Sequence, residues 1–163
     1  MYITQSDLFH GMNSDFIKEV MDLSEKTSCA AGAFLFRKGD AADHFYILLK
    51  GRIDLSPGDP GEVIHAVTHA GEAFGWSSLV GRNVYSASAR CLVETRVLKF
   101  NGEKLQRLLA EDPGNGMIFY RKLADALGQR LIQTYRMVSS SAQAQTSVSF
   151  GTGSMIETEI PQA

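Results

Sequence analysis

The chain has 163 residues, of which 44% are apolar and 21% charged, with a net charge of -2. That length accommodates one domain with a sizeable hydrophobic core and excludes two ordinary ones, so one domain plus a tail is expected. The charge balance excludes broad attraction to nucleic acid or to an anionic membrane and leaves any charged partner to be met locally.

A helix is predicted from about Ser14 to Ser24, because Phe16, Ile17, Val20, Met21 and Leu23 recur at helical spacing while Asp15, Lys18, Glu19 and Asp22 face out; Asn13 or Ser14 can cap it. Asp7, His10 and Asp15 break the first segment, so no apolar leader opens the chain. No run reaches membrane-spanning length, so no membrane is expected as partner and a cytoplasmic location follows. From about Thr27 to Phe100 the pattern changes to short apolar runs punctuated by Gly32, Gly39-Asp40, Gly51, the Pro57 to Gly61 cluster, Gly71 and Gly81-Arg82-Asn83. Strands are predicted at about Phe34 to Arg37, Phe45 to Leu49, Ile53 to Leu55, Val63 to Thr68, Ser86 to Leu92 and Arg96 to Phe100. Gly51 supplies the tight hairpin after Lys50. No crossover helices separate these strands, so they form a sandwich or jelly roll rather than a parallel sheet. Cys29 and Cys91 fall in strand-like stretches without metal-ligand spacing and are read as core thiols.

After Asn101 the period is helical again. Leu105, Leu108 and Leu109 mark a short helix stopped near Asp112-Pro113-Gly114, and a longer one begins near Asn115. In it Tyr120, Leu123, Leu127, Leu131 or Ile132, Tyr135 and Val138 form one continuous apolar stripe that needs a partner. Residues 1–138 are therefore read as the domain. Residues 139–163, rich in Ser, Gln and Gly with no Lys or Arg after Arg136, are read as a flexible tail.

The densest signal runs from Gly71-Glu72-Ala73-Phe74-Gly75-Trp76-Ser77-Ser78-Leu79 through Arg82 to Tyr85-Ser86-Ala87-Ser88-Ala89. A run of small residues lets a ligand approach the main chain, and a short helix starting near Ser77 would turn N–H groups toward an anion. This stretch resembles the phosphate cassette of the cyclic-nucleotide-binding domain family, of the catabolite activator and kinase regulatory subunit type. Phe36-Arg37-Lys38-Gly39-Asp40, Phe45 to Gly51 and the two-helix ending strengthen the resemblance, which covers roughly Leu8 to Val138. It implies a mainly β double-stranded β-helix with a short N-terminal helix and a two-helix C-terminal lid. It also implies a non-catalytic, ligand-sensing regulatory module with a cyclic nucleotide, cyclic AMP or a relative, as its ligand.

Two positions depart from the family. Where the family has a glutamate for the ribose hydroxyl this chain has Trp76, and where it has an arginine for the cyclic phosphate this chain has Tyr85. Losing one partner of a buried charge pair costs about 2–5 kcal/mol, so ordinary cyclic AMP binding is expected to be weak unless other groups compensate. Arg82 is the nearest such group, with Arg90 farther along the strand. Trp76 and Tyr85 either stack on a planar ligand or fill the vacated pocket. In the long helix, Arg130-Leu131-Ile132-Gln133-Thr134 resembles a segment of bacterial members in which the threonine contacts adenine, which makes Thr134 the base-side candidate. The resemblance also implies a homodimer through the long helix and a downstream protein partner.

Other classes fit less well. A cupin-type metal enzyme would use His65, His69 and Glu72, but metal-binding cupins have one residue between their strand histidines, whereas His69 lies four positions after His65 and falls in the turn before Gly71. Direct nucleic-acid binding is not expected, because the tail has neither the length nor the cations for it. A degenerate, ligand-free protein-interaction module is the remaining alternative.

Overall fold

The computed structural model describes residues 6–58 and 62–141. A 3-10 turn at Asp7–Phe9 leads into α1 (Ser14–Asp22). Asn13 caps α1, its side-chain oxygen accepting the Phe16 N–H at 2.8 Å. The helix is shorter than predicted: it ends at Asp22, and β1 already runs over Ser24–Cys29. Then follow β2 (Phe34–Phe36), β3 (His44–Lys50), β4 (Ile53–Ser56), β5 (His65–Val67), β6 (Ala73–Phe74), β7 (Ser88–Cys91) and β8 (Thr95–Asn101).

These strands make two four-stranded antiparallel sheets, ordered β1-β8-β3-β6 and β2-β7-β4-β5. That is the expected mainly β jelly roll. The period-2 alternation of β3 and β8 decides where each core lies. Tyr46, Leu48 and Val97 point between the sheets, where they meet Phe36, Ile53, Val67, Phe74 and Tyr85. Phe45, Ile47, Leu98 and Phe100 point to the other face, where the helices cover them. Both faces of the β8–β3 pair are thus apolar, which is why Phe45 to Leu49 reads as a continuous run. Cys29 and Cys91 are buried free thiols, and burial, helped by the neighbouring Cys29, pushes the Cys91 thiol up to about 12.

The last strand passes directly into α2 (Gly102–Glu111), with Asn101 capping through the Lys104 N–H. Then α3 covers Pro113–Ser141. It starts two residues earlier than predicted, because Pro113 takes the first helical position and the Asp112 carboxylate accepts the Asn115 N–H at 3.1 Å. Gly116 lies against α2 so closely that a Cβ there would come within 2.2 Å of the Leu109 carbonyl oxygen. The helix also continues past Val138, so residues 139–141 belong to α3 rather than to a tail. The remainder of the predicted tail lies outside the described residues.

Candidate functional site

The stretch Gly71 to Ala87 is anchored at its start by main-chain bonds. The Gly71 N–H donates to the Leu48 carbonyl at 2.8 Å, and the Leu48 N–H donates to the Glu72 carbonyl at 2.9 Å. β6 then pairs with the middle of β3 through Phe74↔Tyr46 and Ala73↔Ile47. At Gly75 the chain adopts φ +76°, and a Cβ would meet the His44 carbonyl at 3.0 Å and the Tyr46 ring at 3.1 Å. Glycine is required there on both counts. The predicted short helix is a 3-10 turn over Trp76–Leu79, held by Ser78 Oγ donating to the Gly75 carbonyl.

Around this turn the small residues face inward. Ser77, Ser78 and Leu79 are buried. The Ser78 carbonyl accepts Gln106 Nε2 of α2, and the Leu79 carbonyl accepts the Tyr120 hydroxyl of α3. Trp76 is half-buried against the helix-side core. The exposed Arg82 places its guanidinium 5.8 Å from the Trp76 ring centre, a cation–π distance. Ser86 is exposed and Ala87 half-buried.

Tyr85 is the decisive position. Its side chain does not reach a ligand face: the residue is 4% exposed, and the ring stacks on Phe36 at 3.7 Å between the two sheets. Its hydroxyl donates to the His44 carbonyl at 2.6 Å and accepts the His44 N–H at 3.1 Å. Burial raises its pKa and that of Tyr46, so both phenols stay neutral. With Tyr46 and Phe74 stacked 5.2 Å apart beside it, the interior of the roll at Tyr85 is filled with aromatic carbon. Aromatic carbon offers no hydrogen-bond donor to an anion such as the singly charged phosphodiester of a cyclic nucleotide.

The start of the cassette does face a cavity. A groove of about 210 Å³ between the start of β6 and α3 is lined by His65, Gly71, Glu72, Ala73, Arg130 and Gln133, among others. Glu72 is its electrostatic centre. Burial opposes its ionisation. The His65 ring 3.4 Å away and the N–H groups of Thr68 and His69, each at 2.8 Å, outweigh that and hold the carboxyl at about 2. Across the groove Arg130 donates to the Ala73 carbonyl. Burial lowers the Arg130 pKa and the Glu72 charge counters it. Sequence reasoning named Arg130 only as part of a motif and missed it as the contact between helix and cassette. Its place beside Thr134 in that motif was the signal available.

Thr134 is not brought to the groove: it is exposed, and its hydroxyl donates to the Arg130 carbonyl of its own helix at 3.0 Å. Arg90 lies away from the cassette turn, 5.9 Å from the Phe34 ring. His65 and Glu72 do meet, but among the described residues no group of three potential metal ligands comes together.

The comparisons with known proteins agree with this architecture. The cyclic nucleotide-binding domain family matches residues 26–112, more than half of the chain, and the chain belongs to that family. A Rhodopseudomonas palustris protein named as a potassium channel is 29% identical over 113 residues, 68% of this chain and 27% of the channel's own length. The solved structure of a Geobacter metallireducens protein named as cyclic nucleotide-binding is 27% identical with a TM-score of 0.70, over 77% of this chain and 92% of that one. A cyclic nucleotide-binding domain from Methylobacillus flagellatus, 20% identical, shows the same fold with a TM-score of 0.75 over 88% of this chain and 82% of its own. The chain is thus a ligand-sensing domain of the regulatory, cyclic-nucleotide-binding class. Among the described residues, no helix is long and apolar enough to cross a membrane.

Proposed function

We propose that the chain works without catalysis as a regulatory module with a remodelled pocket, coupling a small anionic, planar ligand at Gly71 to Ala87 to the position of α3. One observation carries this reading: the half-buried Arg130 of α3 is bonded to the Ala73 carbonyl at the cassette's first strand. A ligand that engages that strand or that guanidinium differently in two states biases the helix. The anion is met from the α3 side and by Arg82 above Trp76, because Tyr85 closes the usual phosphate position. The signal leaves through α3, in a cytoplasmic homodimer, to a downstream protein partner.

Trp76 is the only tryptophan and reports on its own site. Titration with cyclic AMP, cyclic GMP and cyclic dinucleotides is expected to change its fluorescence and release or absorb heat with at least one of them. Silence in both readouts with all of them overturns ligand sensing and supports the second reading, a ligand-free interaction module. The stacked and hydrogen-bonded Tyr85 favours that reading. Tyr85→Arg does not rescue family-like binding: it places a cation between two apolar sheets, which costs several kcal/mol, and urea denaturation is expected to show that loss.

A further inference from the structure

The β1-β8-β3-β6 sheet has the cassette strand at one edge and β1 at the other. On the β1 side lies a second cavity, of about 300 Å³, lined by Lys26, Thr27, Ser28, Leu49, Lys50 and Arg96. Its lining contains three cations and no carboxylate, on a chain whose net charge is -2.

The register explains how the cations come together. Arg96 of the central strand β8 stands directly opposite Ser28 on one side and Lys50 on the other. Lys26 lies two residues before Ser28 on the same strand face. Like charges directly opposite across strands repel and destabilise the pair. The backbone offers no relief. Beside Lys50, Gly51 has φ +115° and lies so close to Thr95 that a Cβ there would come within 2.7 Å of the Thr95 Cα, which fixes the hairpin against the start of β8. A bulge at Leu49, where the register shifts between Leu48 and Lys50, re-aims the end of the strand, a device that recurs beside binding sites. Neither Arg96 nor Lys50 forms an ion pair among the described residues.

We infer that this cavity is a second ligand site, separate from the cassette, for a short polyphosphate chain. The row from Ser28 through Arg96 to Lys50 spans two inter-strand steps, about 10 Å of backbone. That spread suits charges carried on successive phosphates better than a single phosphate. Arg96 supplies the forked donor, Lys26 and Lys50 supply point charges, and the Ser28 hydroxyl supplies a neutral donor. Occupancy relieves the Arg96–Lys50 repulsion that the empty sheet carries.

The test is calorimetric titration of the whole chain with inorganic tripolyphosphate, followed in parallel by phosphorus NMR. Saturable one-to-one binding is expected, with Arg96→Gln and Lys50→Gln each weakening it roughly five- to tenfold. Arg37→Gln is the control: its guanidinium sits on the Phe34 ring of the other sheet at 3.8 Å, and binding is expected to be unchanged. Absence of saturable binding overturns the site, as does an equal loss in the Arg37 control. Tripolyphosphate is also expected to raise the melting temperature of the wild-type chain and not that of the folded Arg96→Gln/Lys50→Gln double variant; an equal rise in both overturns the site. None of these readouts depends on cyclic-nucleotide binding at the cassette.

Discussion

The two ends of α3 carry the same apolar periodicity and meet different fates. In its first three turns Asn115, Gly116, Phe119 and Leu123 are buried, and Phe119 touches both Phe9 and Phe45. In its last three turns Leu131 is 49% exposed, and Tyr135 and Val138 are each 59% exposed. Periodicity asks for a partner; only the first half finds one within the described chain. The difference separates what α3 does for the fold from what it offers outside it, and Arg130 stands at the boundary, with its guanidinium held by the cassette.

Phe119→Ala should have the largest effect. It removes a fully buried ring at a cost of about 3–5 kcal/mol, visible as a lower urea midpoint. A loss below about 1 kcal/mol would erase the distinction between the halves. Next comes the boundary. Arg130→Gln should cost about 1–2 kcal/mol by weakening the bond to the Ala73 carbonyl. It should also uncouple α3 from Trp76, so that amide exchange in the last turns of α3 no longer responds to ligands that change Trp76 fluorescence.

Glu72 sharpens the same boundary through pH. Its ordinary value of 4.5 falls to about 2 in the fold, so the folded state favours the ionised form. The stability this provides is complete above pH 4.5 and is lost as pH falls toward 2. Thermal melts of the wild-type chain should fall across that window, and Glu72→Gln should flatten the fall while lowering stability at neutral pH. A wild-type profile no steeper than the variant's would show that the carboxylate is not held as described.

The smallest effect on folding belongs to the far end. Tyr135→Ser should change monomer stability by no more than about 0.5 kcal/mol. The triple change Leu131→Ser, Tyr135→Ser and Val138→Ser should convert a homodimer to a monomer in light scattering. A wild-type chain already monomeric at high concentration would remove the proposed dimer and leave the stripe to the downstream partner.

Much of this was legible in the residues. The alternation in Phe45 to Leu49, the turn at Gly51 and the capped helix after Asn13 are local signals, decided within a few residues by sterics and hydrogen bonding. They carried the jelly roll and its order of elements. The helix boundaries were less legible. Ser24 ends up in a strand because pairing with Phe100 across the sheet outweighs a helical period that holds only as far as Asp22. The site was legible in composition but not in direction. The sequence puts a tyrosine, Tyr85, in the cassette; it does not say whether the ring faces a ligand or the core.

By itself, then, the sequence determined the class of fold and the run of small residues from Gly71 to Ala89, because these are properties of residue type and spacing. The tertiary structure decided that Tyr85 packs on Phe36 with its hydroxyl on His44, and that Arg130 rather than Thr134 meets the cassette. It also decided that Arg96 and Lys50 are forced side by side. Each of these depends on which residues distant in the chain are brought within a few ångströms, and register across strands, not local pattern, sets that.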